Sequence, residues 1–424
     1  MKLNYKRTLL VGLAFLSISS FWQMYDSIIP LILQNTFHLN ESFIGALMAV
    51  DNVLAVFLLP IIGTLSDKVD TPLGKRTPFV LCGTVVAVLL MMLLPYADHN
   101  RILWLFVVAL GLTLIAMASY RSPAVALMPD LTPKPLRSRA NAVINLMGAV
   151  GGVYSLLLIK FLVKEEQNPS YLPVFLGVAA IMIVSVVVLL ITIREKELSA
   201  RIAMDYPDEV VIEKDGKTGE LPKEVKRSLR FILLSIFLWF TAYNAVTTAF
   251  SRYVVTVWKL EGGGFASCLM IATVAAIISY IPIGSISAKL GRKKTIMIGL
   301  LLMLISYTGA FLTPTYNSLI TVFFALIGMG WAAVSVNSLP MVVEMSKGSD
   351  IGKYTGLYYT FSMTAQIFTP MVSGLLLQYI SYKTLFPYAM FFVTCAILTM
   401  SQVKHGDAKP MQKGNVLENF DIDD

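Results

Sequence analysis

Twelve long apolar stretches run through this chain, at about 9–34, 42–65, 78–97, 101–128, 139–163, 171–194, 229–257, 264–289, 294–313, 317–345, 352–378 and 383–402. Each comes near the roughly 20 residues that a helix needs to cross the hydrocarbon of a bilayer. Composition agrees. Of the 424 residues, 56% are hydrophobic and 14% charged, where a soluble domain has about a quarter charged. Too few charges are available to coat a globule of this size, so the chain reads as an all-α membrane protein of twelve transmembrane helices. The basic N-terminus before the first run has the look of a signal peptide. The run continues to about Leu33 without a small-residue cleavage site, and it reads as a retained first span.

The charges between the spans set an orientation. With the N-terminus placed in the cytoplasm, 27 of the 34 Lys and Arg residues fall on that side; Arg101, Lys164, Lys259 and Lys383 fall on the other. This is the positive-inside asymmetry, and it puts both termini in the cytoplasm. One long charged connection, with Glu195-Lys196-Glu197 and Lys214-Asp215-Gly216-Lys217, separates six spans from six. The expected organisation is an N-terminal six-helix bundle over 1–194, a cytoplasmic linker over 195–228, a C-terminal six-helix bundle over 229–403 and a cytoplasmic tail over 404–424.

The halves echo each other. After the second span come Gly63, Asp67 and Lys68, then Gly74-Lys75-Arg76; after the eighth come Gly284, Lys289, then Gly291-Arg292-Lys293-Lys294. The turn after the fourth span carries Asp130 and, nine residues on, Arg139; the turn after the tenth carries Glu344 and, nine residues on, Lys353. Parallel six-helix repeats mark one large transporter architecture. A glycine lets helix ends approach, and an acid beside a basic cluster can hold them together.

The first copy resembles the cytoplasmic signature of the major facilitator superfamily. That resemblance implies two pseudo-symmetric six-helix bundles and an inner gate formed by Asp67 with Arg76, Arg137 or Arg139, with Gly63, Gly74, Lys75 and Asp130 around it. In the second copy Ala288 stands where an acid is expected, so the latch there should be weaker or built around Glu344. The first copy is also lengthened and runs into Thr77-Pro78-Phe79. With Ser122-Pro123 through Asp130 and with Arg137-Ser138-Arg139-Ala140-Asn141, it resembles the glycoside–pentoside–hexuronide:cation symporters, nearest to sucrose-transporter-like and proton-associated sugar transporters. The resemblance implies cation-coupled sugar transport by alternating access. One departure stands out: plant members of the sucrose group place a proton-binding aspartate in the fourth span, and this chain has no acid there before Asp130.

An ionised side chain at mid-bilayer costs at least a few kcal/mol, so such residues tend to face a cavity and to function. Asp26 and Asp51 lie eight or nine residues from the same end of adjacent spans, roughly 12–14 Å deep at 1.5 Å per residue. Two carboxylates in one low-dielectric cavity cannot both ionise cheaply, which is the arrangement that coupling to a proton requires. A carboxylate pair with Asn52 also offers oxygen ligands to sodium. Arg121, in the fourth span, can pair with either aspartate or with Asp130. Arg252 and Lys160 sit near span ends, where snorkelling is the ordinary reading.

Polar positions recur at helical spacing, including Asn141 and Asn145 with Gly148 and Gly152, Asn244 with Thr248, and Tyr359 with Gln366. With Trp22, Gln23, Asn52, Trp331 and Asn337 they form the expected substrate cavity, although interhelical hydrogen bonding is the alternative for each. Trp258 reads as interfacial belt. The cysteines Cys82, Cys268 and Cys395 are odd in number and widely spaced, against a disulfide framework. Basic residues lie between spans rather than in a soluble patch, against nucleic acid. No metal cluster, phosphate loop or catalytic triad is present in the sequence, and no cofactor is implied. The expected protein is a monomeric, multi-pass plasma-membrane symporter, not an enzyme, taking a small polar solute, a sugar, with a proton or sodium. Proton-coupled efflux of an amphipathic compound and a non-transporting sensor are the rivals.

Overall fold

The computed structural model describes residues 4–132, 137–164, 169–205, 222–260, 263–345 and 351–407. Over these the chain is helical: α1 Tyr5–Asn35, α2 Glu41–Lys68, α3 Thr77–Met91, α4 Leu93–His99, α5 Leu103–Asp130, α6 Arg137–Leu162, α7 Leu172–Thr192, α8 Glu195–Asp205, α9 Lys223–Thr256, α10 Gly264–Leu290, α11 Arg292–Leu312, α12 Ser318–Val343, α13 Ile351–Tyr379 and α14 Leu385–Ser401, the last preceded by the 3-10 turn Tyr382–Thr384. Eleven segments are long and apolar enough to cross a membrane, with α3 and α4 counting as one. The 27-residue α10, which includes the apolar segment Gly264–Tyr280, is the twelfth.

Local chemistry sets several boundaries. Asn4, Asn40 and Asn317 cap α1, α2 and α12 by accepting backbone N–H groups of Arg7, Phe43 and Leu319 at 3.0, 2.9 and 3.0 Å, satisfying donors that the first turn leaves free. The expected single span over 78–97 is divided at Met92. Pro95 has no N–H to give Met91, and its ring crowds that carbonyl, so the helix kinks there. The connection read as a linker is partly helical: α8 opens it at Glu195 and α9 begins at Lys223.

Helices α1–α7 pack on one another, as do α9–α14, and the two sets meet chiefly along α2 with α13, α6 with α10 and α1 with α9. Within the first set α1 and α6 are pressed together. A Cβ added at Gly151 would stand 2.2 Å from the Leu16 carbonyl, so only glycine permits this approach. Of the neighbouring glycines, Gly148 also faces α1, at Ser19, but Gly151 makes the tightest approach. Ser20 and Ser155 fasten the same pair by donating to the carbonyls of Gly151 at 3.0 Å and Ser20 at 2.7 Å.

Alternation along twelve spans puts both ends of the described chain, and the basic turns, at one end of the bundle, called the basic end below. At the far end the two sets are closed on each other. A Cβ at Gly45 of α2 would stand 2.0 Å from the Pro370 carbonyl of α13, and the Ser42 N–H donates to Gln378 Oε1 at 3.0 Å.

Candidate functional site

The mid-depth of the first half holds charged residues. Asp26 is nine residues from the end of α1 and Asp51 ten from the start of α2, ~14–15 Å from the far end in each case. They are near enough to act on each other electrostatically. Arg121, on α5, acts electrostatically on Asp51 and on Tyr359 of α13. Its guanidinium carbon lies 5.8 Å from the centre of the Trp22 ring, a cation–π distance. Trp22 is itself held edge-on by Phe21 and Tyr25 at 5.2 and 5.4 Å. Among the described residues Arg121 makes no hydrogen bond or ion pair. Of the two pairings open from the sequence, the one with Asp130 is not made, because Asp130 is taken by Arg76.

Asn52 donates to Asp51 at 2.8 Å. Gln23 donates to Ser27 at 3.1 Å, and Gln366 to the Ser362 carbonyl at 3.3 Å. The indole N–H of Trp22, the hydroxyl of Tyr25 and the amide nitrogen of Asn244 are buried without a partner. Trp331 stacks flat on Tyr243, with ring centroids 3.8 Å apart and planes 7° apart, and meets Phe240 edge-on at 5.2 Å. One face of its indole is thus already covered. Tyr359 and Asn145 are exposed. The side chain of Asn141 lies outside the described residues. Asn337 is fully buried between α10 and α12, where it accepts from Ser287 and donates to the Ala333 carbonyl at 2.8 Å.

The basic end carries a second constellation, built twice. In the first half, Arg76 Nε meets Asp130 Oδ2 at 2.9 Å, and its NH1 donates to Ser66 and to the Gly63 carbonyl. Glu195, from the start of α8, accepts the backbone N–H groups of Lys75, Arg76 and Thr77 at 2.8–2.9 Å and the Thr77 hydroxyl at 2.7 Å. It thus supplies the anion that the bare N-terminus of α3 attracts. Gly74, at φ +115°, makes this turn possible, and a Cβ there would collide with Glu195. In the second half Arg292 pairs with Glu344. Asp407 accepts the N–H groups of Arg292 and Lys293 at 2.6 and 3.2 Å, beside Gly291 at φ +91°. Glu344, around which the sequence suggested a second latch, is thus the partner of Arg292. Lys75 is exposed; the side chains of Asp67, Arg137 and Arg139 lie outside the described residues. Sequence reading missed Glu195 and Asp407 because each is one acid among several in a charged stretch.

Two peripheral expectations are corrected. Arg252 does not snorkel: it is 3% exposed and its NH1 meets Glu41 Oε2 at 2.7 Å. A buried charge so near an end needs a partner rather than water. Trp258 is not in an interfacial belt. It is 6% exposed and packed among Phe250, Tyr253 and Phe386. Lys160 is exposed, over the Phe161 ring.

The sequence profile of the Major Facilitator Superfamily matches residues 11–279 and 262–410, nearly the whole chain. The protein belongs to this superfamily. It is a multi-pass membrane transporter, not an enzyme. Among curated proteins it is similar to the sucrose transport protein SUC3 of Arabidopsis thaliana, with 23% identity over 151 residues, 31% of this chain. The matched stretch spans a quarter of that protein's length. Among solved structures it resembles the inward-open xylose transporter XylE from E. coli, at TM-score 0.70 and 14% identity, over 98% of this chain and 97% of that one. It also resembles the nucleoside transporter NupG, at TM-score 0.68 and 13% identity, over 94% of this chain and all of that one. At these identities the structural likeness bears on the fold alone.

Proposed function

We propose that this transporter is a proton-coupled symporter of a sugar or glycoside, acting as a monomer in the plasma membrane by alternating access, with its basic end in the cytoplasm. The observation that carries the reading is the charge balance at mid-depth. Asp26 and Asp51 lie within electrostatic reach of each other there, and among the described residues the guanidinium of Arg121 acts on Asp51 and not on Asp26. One carboxylate is compensated and the other is not. An uncompensated charge at that depth is costly, and taking up a cation relieves it. Trp22, Tyr25 and Asn244 add hydrogen-bond donors without partners, which suits a solute rich in hydroxyl oxygens. The sugar class is supported by the similarity to SUC3 and the motifs between α2 and α6. The basic end is assigned to the cytoplasm by its excess of Lys and Arg. Asp67 with Arg76, Arg137 or Arg139 and the second pair Arg292–Glu344 form the inner gate of this scheme.

The test is uptake of a panel of labelled mono- and disaccharides into proteoliposomes under an imposed proton gradient and, in parallel, an imposed sodium gradient. The proposal expects accumulation driven by the proton gradient. It further expects Asp26→Asn and Asp51→Asn to lose accumulation while substrate exchange persists. Full accumulation in both variants would remove the coupling role. Accumulation driven by sodium alone would replace the ion, and outward pumping of an amphipathic compound would replace the substrate and direction.

A further inference from the structure

A cavity of about 350 Å³ opens at the far end of the first half, between the end of α1, the end of α4 and the start of α7. Its volume falls within the range of small-molecule sites, about 300–1,000 Å³. Pro95 and Tyr171 are its buried lining, and Asn35, Thr36 and Asp98 are half-buried. Asp98 sits in the last turn of α4, at the helix end that is itself negative and disfavours an acid. One of its oxygens accepts from the Thr36 hydroxyl at 2.6 Å. The other makes no hydrogen bond among the described residues, although the exposed His99 acts on the carboxylate electrostatically. Arg101, also in the lining, holds φ +55°, a conformation that glycine takes freely and arginine does not. Its N–H closes the turn on the Asp98 carbonyl at 3.0 Å. Its guanidinium is exposed and makes no hydrogen bond or ion pair among the described residues. An acid and a base thus line one cavity without meeting each other.

We infer that this cavity is an outer docking site for a sugar, which captures the solute at the far face before it reaches the mid-depth residues. The inference rests on the sugar reading above. A lone anion would be held by Arg101 and repelled by Asp98, and a lone cation the reverse. A hydroxyl-rich ligand serves both, because one hydroxyl donates to the open Asp98 oxygen while another accepts from Arg101. Hydrogen bonds to such charged partners are the strong ones. The rest of the polar lining, Asn35, Thr36 and Ser170, is neutral amide and hydroxyl, which matches further hydroxyls better than the two charges of a zwitterion. Pro95 and Leu172 offer apolar contact to the C–H groups of a sugar ring. The whole lining comes from the first half, so the cavity keeps its shape as the two halves move.

Protection of a rim residue reads this out. In a chain whose Cys82, Cys268 and Cys395 are replaced by alanine, Ser170→Cys, at an exposed lining position, is reacted with a membrane-impermeant maleimide in nanodiscs. Labelling is followed with and without each sugar of the uptake panel. A sugar that docks here should slow it several-fold at saturation, and Asp98→Asn and Arg101→Gly should each abolish that protection. Both variants suit the fold: asparagine still accepts from Thr36, and glycine takes φ +55° more easily than arginine. Protection that survives in both variants is transmitted from elsewhere and overturns the docking site. So does uptake of a sugar that gives no protection, which leaves the symport reading standing. Protection by a sugar that is not taken up does the reverse, supporting the docking site and removing sugar symport. Protection by amino acids or betaines and by no sugar overturns the ligand class.

Discussion

Glu195 accepts the backbone N–H of Arg76 at 2.9 Å, and so the first residue of α8 fixes the turn that aims Arg76 at Asp130. Arg76 is 8% exposed as a side chain; its direction is set by this backbone clamp and by the Ser66 and Gly63 acceptors together. The second half repeats the device with Asp407 and Arg292. In each half an acid just after the sixth span caps the third.

Glu195→Ala should therefore lower stability by about 2–3 kcal/mol, since several hydrogen bonds to a buried carboxylate are lost at once. Asp407→Ala should cost less, because its two bonds are solvent-exposed. Thermal unfolding in detergent measures both, and an equal loss in the two variants would show that burial at Glu195 adds nothing.

Arg76→Lys should reduce transport several-fold with a smaller change in stability. Lysine keeps the charge, but its point-like ammonium cannot serve Asp130, Ser66 and the Gly63 carbonyl in the planar fork that guanidinium provides. Uptake rates in proteoliposomes, compared with melting temperature, separate these effects.

Trp22→Leu should weaken solute binding about two- to five-fold, because Arg121 loses an aromatic face worth about 0.5–1 kcal/mol. Trp22→Phe should fall between. Binding measured by isothermal calorimetry on the purified transporter decides this; unchanged affinity in the leucine variant would place Arg121's orientation elsewhere.

Asn337→Ala should lower stability by about 1 kcal/mol, the scale of an interhelical hydrogen bond in a membrane bundle, with solute affinity unchanged. Its amide oxygen accepts from Ser287 of α10, and its amide nitrogen donates within α12 to the Ala333 carbonyl. A change in affinity without a change in melting temperature would instead return Asn337 to the cavity.

Much of this protein was legible in one dimension. Bilayer thickness sets helix length, so apolar run length gave the twelve spans and their order, and the excess of Lys and Arg in alternate turns gave the two ends. A mid-bilayer charge is expensive wherever the helix sits, so Asp26, Asp51 and Arg121 could be picked out without a contact. Repeat spacing singled out Glu344, the partner of Arg292, because the two halves obey one plan.

Partnership was not legible, because hydrogen bonds and ion pairs depend on which helix faces lie within about 3 Å, and that distance is set by packing of the whole bundle. Hence Arg252 near a span end could be read as snorkelling until Glu41, 211 residues away in sequence, was found against it. Glu195 and Asp407 looked like solvated linker acids until their helix N-termini were placed above them, and the tightest helix approach fell on Gly151 rather than its neighbours. Span length, the two ends and the charges that lipid makes conspicuous are properties of one helix at a time and can be read along the chain. Which charges meet is a property of two helices together, and it waits on the packed bundle.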